Sequence, residues 1–565
     1  MNSRSVVTFR SADALKVVVI AASWILLATA ISVHMNGRLY PFLTVGVGAV
    51  AVLFVAYVVS VRSFPTRYLL AALVCLSVYY RALVVLFPSS YVGMDPDKYA
   101  GGIVSLMETG RVVNLDFPFY GKAPFFLVSG ALTGDVMGVD ALRMLDVYAF
   151  VFGALFPLLA YVVTRRLSSE RVGIYATLLV TVGAASVIYA TNPIAQTLAV
   201  GLWIPFLVVF GRYLRYKRTV DLVLTFLFTV AMVYTHKLTA LLVFGTVVGS
   251  SAFILLQSRE WMDDPLKRAT TPSTLLMLTV LSGVLVVVQL TIITDYIVGV
   301  IGRFLLALHV TSVETVHVVP QAATPVASEP VNFVLRRGYG LTLVPLAGIA
   351  WLVLARRTDS HETRAILAGI AVCIALTGVG AVSVSAVNPS RMYFYMELLL
   401  FVVVAVAVLR RHVPGRRRSI AVLAVFFLLL TSQLITPLVV PDHPQGERQY
   451  LTAEETAAKR FSTQVPGDIA TDFFYAKSTV RLHNPRPARL DDPSSDTYVY
   501  MDEELLNHTT LNENSRYIAY RTQVRVYRTY GAMQGRWELT YDPEQGFDRR
   551  HERVYSNGGV VVYER

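Results

Sequence analysis

The chain has 565 residues, 55% of them hydrophobic and 16% charged, with a mean hydropathy of +0.54 and a formal net charge of +12. So little charge on so long a chain excludes an ordinary soluble protein of several domains. No basic-aromatic stripe gathers the positive charge into a nucleic-acid footprint, so no nucleic-acid partner is expected. A polytopic α-helical membrane protein is expected instead.

Uncharged apolar runs near twenty residues recur along the first four-fifths of the chain, each long enough to cross a hydrocarbon core about 30 Å thick. Thirteen spans are expected, at 17–34, 42–61, 67–87, 146–164, 171–190, 195–211, 220–235, 238–256, 273–294, 338–355, 365–387, 392–409 and 419–438. In the first, Ala28-Thr29-Ala30 resembles a leader cleavage site, but the run is long for a signal peptide and reads as a retained span. Threaded alternately, the spans leave the dense Lys/Arg clusters on one face, at Arg165/Arg166/Arg171, Arg212/Arg215/Lys217/Arg218 and Arg410/Arg411/Arg416/Arg417/Arg418 among others. Basic residues are retained in the cytoplasm. The amino terminus is therefore expected inside, with the carboxyl terminus and the long loops 88–145 and 295–337 outside. Cys75 and Cys373 fall within spans and indicate neither a disulfide framework nor a thiolate metal site.

Arg81 lies inside the third span, where an ionisable residue is a functional candidate or half of a buried ion pair, with Glu397 of span twelve as a partner. The first outer loop then opens with "YVGMDPDKYAGGIVSLMETG", residues 91–110. Asp95-Pro96 is a strong helix start, because Asp caps free backbone N–H groups, Pro suits the first helical position and Asp97 favours the positive dipole end. Tyr99, Ile103, Leu106 and Met107 share one face of this helix, and Gly110 stops it. That structural account explains both aspartates. Their position at the outer membrane boundary adds a second one, since a carboxylate there can serve a lipid-linked substrate as a general base. Amphipathic helices lying on the membrane are expected for this loop.

Asn192 and Gln196, in "YATNPIAQTLA", belong to an outer turn where Asn-Pro chemistry suffices, and Gln196 is a candidate to line a polar cavity. His236 and Lys237 interrupt an apolar stretch at the turn between spans seven and eight. Lys237 is either a snorkelling anchor or a phosphate-binding cation. Arg336 and Arg337, before span ten, are weaker cations of the same kind. Arg391, in "VNPSRMYFYME", enters span twelve from the outer side against the positive-inside trend, as a phosphate-binding arginine would.

After Pro441 the composition changes, and residues 442–565 carry half of the chain's 38 acidic residues. Residues 1–440 are thus read as the transmembrane domain and 441–565 as a small soluble α/β domain on the outer face. Thr452 and Glu455 form a capping box that opens a helix through about Ser462. "RYIAYRTQVRVYR" and "GVVVYER" read as strands, and Ser556-Asn557-Gly558-Gly559 as a tight turn.

Three of these features together resemble the C-type (GT-C) glycosyltransferases. They are "MDPDKYAGGIVSLMETG", similar to that family's Asp-Glu-x-x-Tyr-Ala pattern; the "YGKAPFF" segment with its following span and basic stop; and the outer carboxyl-terminal domain of the archaeal type. Pro96 stands where the family's second acidic residue is usual, and Asp97 follows one position later. The resemblance implies an enzyme using polyprenyl- or dolichyl-phosphate sugars, protein-mannosyltransferase-like, with Asp95 as base and Asp97 in support. Tyr99, His236, Lys237, Arg336, Arg337 and Arg391 are the residues expected to bind substrate. The donor implied is a lipid-phosphate sugar, with a hexose such as mannose expected from this resemblance, and the acceptor a glycan or glycoprotein. No protein-bound cofactor or metal site is assigned, and a divalent metal stays open. The WWDYG signature of oligosaccharyltransferases is absent. The rival reading is a transporter or flippase of lipid-linked glycans, which needs the cations and no base.

Overall fold

The computed structural model describes residues 3–36, 39, 42–61, 63–93, 95–112, 120–258, 272–293, 320–325, 330–358, 360–382, 389–408, 416–439, 449–462, 464–478, 498–509, 515–529 and 535–565. It is a polytopic helical membrane protein with a small sheet domain at the carboxyl end. Helices α1 to α12 occupy Ser3–Asn36, Phe42–Ser60, Thr66–Leu86, Asp95–Thr109, Phe125–Met137, Met144–Leu167, Glu170–Thr181, Ala184–Thr191, Ala195–Tyr216, Thr219–Val233, Thr239–Ser258 and Pro272–Val287. Helices α13 to α16 follow at Pro330–Arg357, His361–Val382, Pro389–Ala407 and Arg416–Val439.

Over the described residues every expected span is helical, with one break at Val182–Gly183. Among the described residues nine helices are long and apolar enough to cross a membrane, and α7 with α8 forms a tenth span bent by 56°. The remaining three, α10, α11 and α16, are shorter apolar helices over the described residues. The most buried span is that of α15; α14, α6, α7, α8, α9 and α13 pack around it. Trp203, Phe152, Phe156 and Tyr395 fill the interior beside it.

The bend between α7 and α8 explains two of the intramembrane charges. Breaking a helix in hydrocarbon exposes carbonyls on one side and N–H groups on the other, and each costs several kcal/mol unless partnered. Arg81, fully buried, donates to the Thr181 carbonyl at 3.3 Å and to Ser77 Oγ at 2.6 Å. Glu397 accepts from the backbone N–H groups of Ala185 and Ser186 at 2.9 and 2.7 Å and from Ser186 Oγ at 2.6 Å. Gln433 Oε1 accepts from Ala184 N–H at 2.9 Å. The two charges therefore serve opposite ends of one broken helix, each also acting on the other's charge. Gly183 at the break has no room for a side chain, because a Cβ would lie 2.9 Å from Glu397 Oε2.

The carboxyl-terminal domain contains helices α17 (Ala453–Ser462), α18 (Phe473–Lys477), α19 (Asp502–Asn507) and α20 (Pro543–Arg550). Strands β2 (Ile469–Thr471), β3 (Tyr498–Tyr500), β4 (Tyr517–Arg521), β7 (Glu552–Ser556) and β8 (Val560–Glu564) form a mixed sheet in the order β3-β2-β4-β8-β7. The Thr452–Glu455 capping box is present, with reciprocal bonds of 2.9 and 3.3 Å. Asn557 Oδ1 accepts two backbone N–H groups in the turn joining β7 and β8, where Gly558 takes φ +85°. Inside, Arg521 holds Asp472 through two bonds of 2.7 Å.

A second sheet was not legible beforehand. Strand β1 (Ala323–Pro325), from the loop 295–337, pairs antiparallel with β6 (Gly535–Leu539), which pairs with β5 (Val526–Thr529). The domain is thus completed by a segment that lies between two membrane helices in the sequence. This loop and the domain must share one side of the bundle. The first loop joins them there: Ser89 N–H donates to Leu451 O at 2.9 Å and Gly93 N–H to Gln449 O at 2.8 Å.

Candidate functional site

Helix α4 begins at Asp95 and is followed by Gly110 at φ +64°. Tyr99, Ile103 and Leu106 are buried on its inner face, as the spacing of apolar residues requires. The approach to Asp95 is fixed by Gly93 at φ +88°, where a Cβ would stand 2.1 Å from the Asn192 side-chain nitrogen. Asn192, at the end of α8, therefore sits against the turn that presents α4.

Asp95 Oδ2 meets Arg391 Nη2 at 3.1 Å, joining the start of α4 to the start of α15 across 296 residues of sequence. The pair stays accessible, with Asp95 51% and Arg391 35% exposed at the side chain. Buried Gln196 donates to the Arg391 carbonyl at 2.5 Å, so its amide braces the arginine's backbone. Three phenols act on the guanidinium, those of Tyr189, Tyr99 and Tyr120. Tyr99 donates to Tyr120 at 2.9 Å, and their rings meet edge-on at 5.1 Å. Burial raises both phenols above the ordinary range, Tyr120 to about 12, which keeps them protonated.

A second group adjoins the first. His236, buried, lies 3.3 Å from the Tyr395 hydroxyl through Nδ1, and the charges of Arg391 and Lys237 both act on its ring. Gln289 fixes this turn by donating to the carbonyls of Val233 and His236 at 2.7 and 3.0 Å. The following loop docks beside it, with Phe125 N–H donating to Tyr234 O at 3.1 Å. Asp95, Tyr99, His236, Lys237 and Arg391 thus converge at one end of the bundle.

Asp97 takes a different direction. It is buried, and its charge acts on Lys459 of α17 in the carboxyl-terminal domain, whereas Lys477 feels the charges of both Asp95 and Asp97. Arg337 is exposed at the start of the span in α13. Arg336 lies in α13, but its side chain is outside the described residues. Tyr120, Tyr189 and Tyr395 are site residues that periodicity did not single out. Tyr120 stands in the quoted "YGKAPFF" segment, and Tyr395 lies one helical turn after Arg391 and faces His236 in space. Among the described residues no three His, Cys, Asp or Glu side chains gather as a metal-holding group.

No family model matches the chain, and no curated protein matches it. Among solved structures it is similar to the Archaeoglobus fulgidus oligosaccharyltransferase in the apo form, at 13% identity and a TM-score of 0.48. That match covers 74% of this chain and 64% of the other, so the chain spans under two thirds of that relative's length. The same enzyme tethered to an acceptor peptide containing the NVT sequon matches at 11% identity and TM-score 0.48, covering 81% of this chain and 70% of that one. Its complex with Zn and sulfate matches at 12% and 0.45, covering 87% and 73%.

Proposed function

We propose that this protein is a GT-C type membrane glycosyltransferase that moves a sugar, a hexose such as mannose, from a polyprenyl- or dolichyl-phosphate donor to a glycan or glycoprotein acceptor on the outer membrane face. The single observation that carries the proposal is the accessible Asp95–Arg391 pair at the membrane end of the bundle. A carboxylate and a guanidinium in contact are what this reaction needs on its two sides: a base for the acceptor hydroxyl and a cation for the leaving phosphate. The expected motif residues also occur here, since Asp95, Tyr99, His236, Lys237 and Arg391 lie in one cluster.

In the proposed reaction the donor phosphate competes with Asp95 for Arg391. A guanidinium presents five N–H groups in a rigid fork, so it grips phosphate bidentately. Displacement frees a carboxylate oxygen for the acceptor. The acceptor oxygen bonds to the anomeric carbon while the bond from that carbon to the phosphate oxygen breaks, and the hydroxyl proton passes to Asp95. The electron pair leaves on the lipid phosphate, where Arg391 and Lys237 meet it, with Arg336 or Arg337 assisting from the α13 start. Attack from the side opposite the phosphate inverts the anomeric centre. Tyr99 and Tyr120, held protonated, supply hydrogen-bond donors nearby, and Asp97 fixes α4 to the outer domain.

The transporter reading draws on the broken helix α7–α8, since discontinuous helices hold substrates in transporters. Here the chain's own Arg81, Glu397 and Gln433 occupy the broken ends. The test uses purified protein with a lipid-phosphate sugar and acceptor glycan. Sugar transfer by the wild type that is lost in Asp95→Asn supports the enzyme, and unimpaired transfer by that variant removes the base. Movement of intact lipid-linked glycan between leaflets without transfer would favour the rival.

A further inference from the structure

The carboxyl-terminal domain carries a cavity of about 450 Å³, lined by Leu505, His508, Tyr541, Gly546, Arg550, His551 and Arg565 among others. Its volume is that of a small-molecule site. One wall is a stacked pair, His508 on Tyr541, with ring centroids 4.2 Å apart and planes 11° from parallel. His508 reaches this position in the left-handed region, at φ 55°, as the residue that ends α19. Gly or Asn is usual there, and an imidazole held in a sparsely populated conformation at a cavity wall points to use of the ring. Tyr541 is fixed in turn by donating to the Leu505 carbonyl at 2.8 Å. Phe547 and Pro543 give the cavity an apolar side.

Among the described residues the charged lining is of one sign: Arg550, His551 and Arg565 contribute cationic or potentially cationic groups, and no described Asp or Glu lines the cavity. The arginines act on His551, whose imidazole is held below its ordinary range by burial and by both guanidinium charges. A helix terminus alone accounts for basic residues at the end of α20. It does not account for the aromatic wall facing them.

We propose that this cavity binds an acidic saccharide residue, its ring against the His508–Tyr541 wall and its carboxylate on Arg550 and Arg565. An aromatic wall receives the C–H face of a sugar, and a guanidinium forms charge-assisted bonds with a carboxylate. A bare anion leaves the wall unused, and a neutral sugar leaves the cations unused. The proposal rests on the glycosyltransferase reading for its biological sense: the glycan handled by the enzyme carries an acidic residue, which this domain holds. The wall is also tied to the membrane domain, because the loop strand places Ala322 N–H on Leu506 O at 2.9 Å and Gln321 N–H on Asn507 Oδ1 at 3.4 Å, next to His508.

Binding is measured on the full-length protein in detergent by calorimetry or saturation-transfer NMR, with methyl β-glucuronide, methyl β-glucoside and inorganic phosphate as probes. The glucuronide should bind at least about tenfold more tightly than either other probe, the ratio expected for loss of one charge-assisted bond. Gly546→Trp fills the cavity, and a Cβ there meets no atom within 4 Å, so the variant should fold. It and Arg550→Gln should each weaken glucuronide binding about tenfold or more, with thermal unfolding unchanged. Equal binding of glucoside, equal binding of phosphate, or glucuronide binding untouched by both substitutions would each overturn the proposal. Binding is read without turnover, so a chain that binds glucuronide and transfers no sugar refutes the enzyme reading and leaves this site standing.

Discussion

Two ionic clusters in this protein are built from the same residue types and reach opposite ends. Arg81 and Glu397, inside the bundle, spend their hydrogen bonds on the chain's own backbone at the α7–α8 break. Asp95 and Arg391, at the bundle's end, spend theirs on each other and stay partly exposed. The lesson is that depth in the membrane does not by itself mark a functional charge. What matters is whether the partners that the charge holds can leave. A guanidinium on a helix carbonyl has no exchangeable partner. A guanidinium on an accessible carboxylate does.

Substitutions separate the two clusters. Asp95→Asn should reduce transfer by about 10²- to 10⁴-fold, the usual range for a general base. Thermal unfolding in detergent should move little, because an accessible ion pair contributes about 0–1 kcal/mol. Glu397→Gln should do the reverse. It weakens the bonds to Ala185 and Ser186, each of the kind worth about 1.5–3 kcal/mol when the acceptor is charged. Yield and thermal stability fall, while the rate per folded molecule stays near wild type. If Glu397→Gln lost activity at full stability, the division between the clusters would collapse.

Gly93→Ala tests the joint between them, as its turn presents Asp95 while leaning on Asn192 at the end of α8. A side chain there combines a positive φ with a 2.1 Å contact, which should cost about 1–3 kcal/mol and shift α4. Both unfolding temperature and transfer rate should drop. Loss of stability alone, with unchanged kcat, would mean that the turn does not position Asp95.

Local chemistry made some of this legible and tertiary contact hid the rest. Asp95-Pro96, Gly110 and the Thr452–Glu455 box announce themselves because a cap and a stop involve residues a few positions apart. The thirteen apolar runs are equally local. The break at Val182–Gly183 is not, since the run 172–190 carries no charge or proline to mark it and its interruption depends on Glu397 and Gln433 arriving from other helices. Strand β1 lies in a Pro/Ala-rich segment with no alternating pattern, and it is a strand because β6 offers it an edge. Among the candidate residues, Arg391 was suggested by its violation of charge topology, but its partner was visible only in space. The two aspartates of the opening loop looked interchangeable in sequence. Two residues along a helix turn is enough to send one toward Arg391 and the other toward Lys459.

That second direction gives the smallest expected effect, and it is one of pH. Lys459 is fully buried, donates to the carbonyls of Tyr475 and, at 3.3 Å, Ala476, and lies 4.8 and 4.9 Å from the ring centres of Tyr475 and Tyr498. Burial pulls its ammonium down to about 7, against the opposing charges of Asp97 and Asp472. Between that value and the ordinary lysine range the unfolded chain holds a proton that the folded chain does not. Folding stability of the carboxyl-terminal domain should therefore rise with pH from about 7 toward 9, by at most about 1.4 kcal/mol per pH unit. Below 7 the lysine is protonated in both states and its contribution is flat. Thermal unfolding followed across that window should show the slope in the wild type and lose it in Lys459→Met. Asp97→Asn removes one of the charges that favour the ammonium, so it should extend the rising part of the curve to lower pH. Asp95→Asn should move the curve less, because Asp95 acts on Lys477 and not on Lys459, and a shift equal to that of Asp97→Asn would erase the distinction between the two carboxylates.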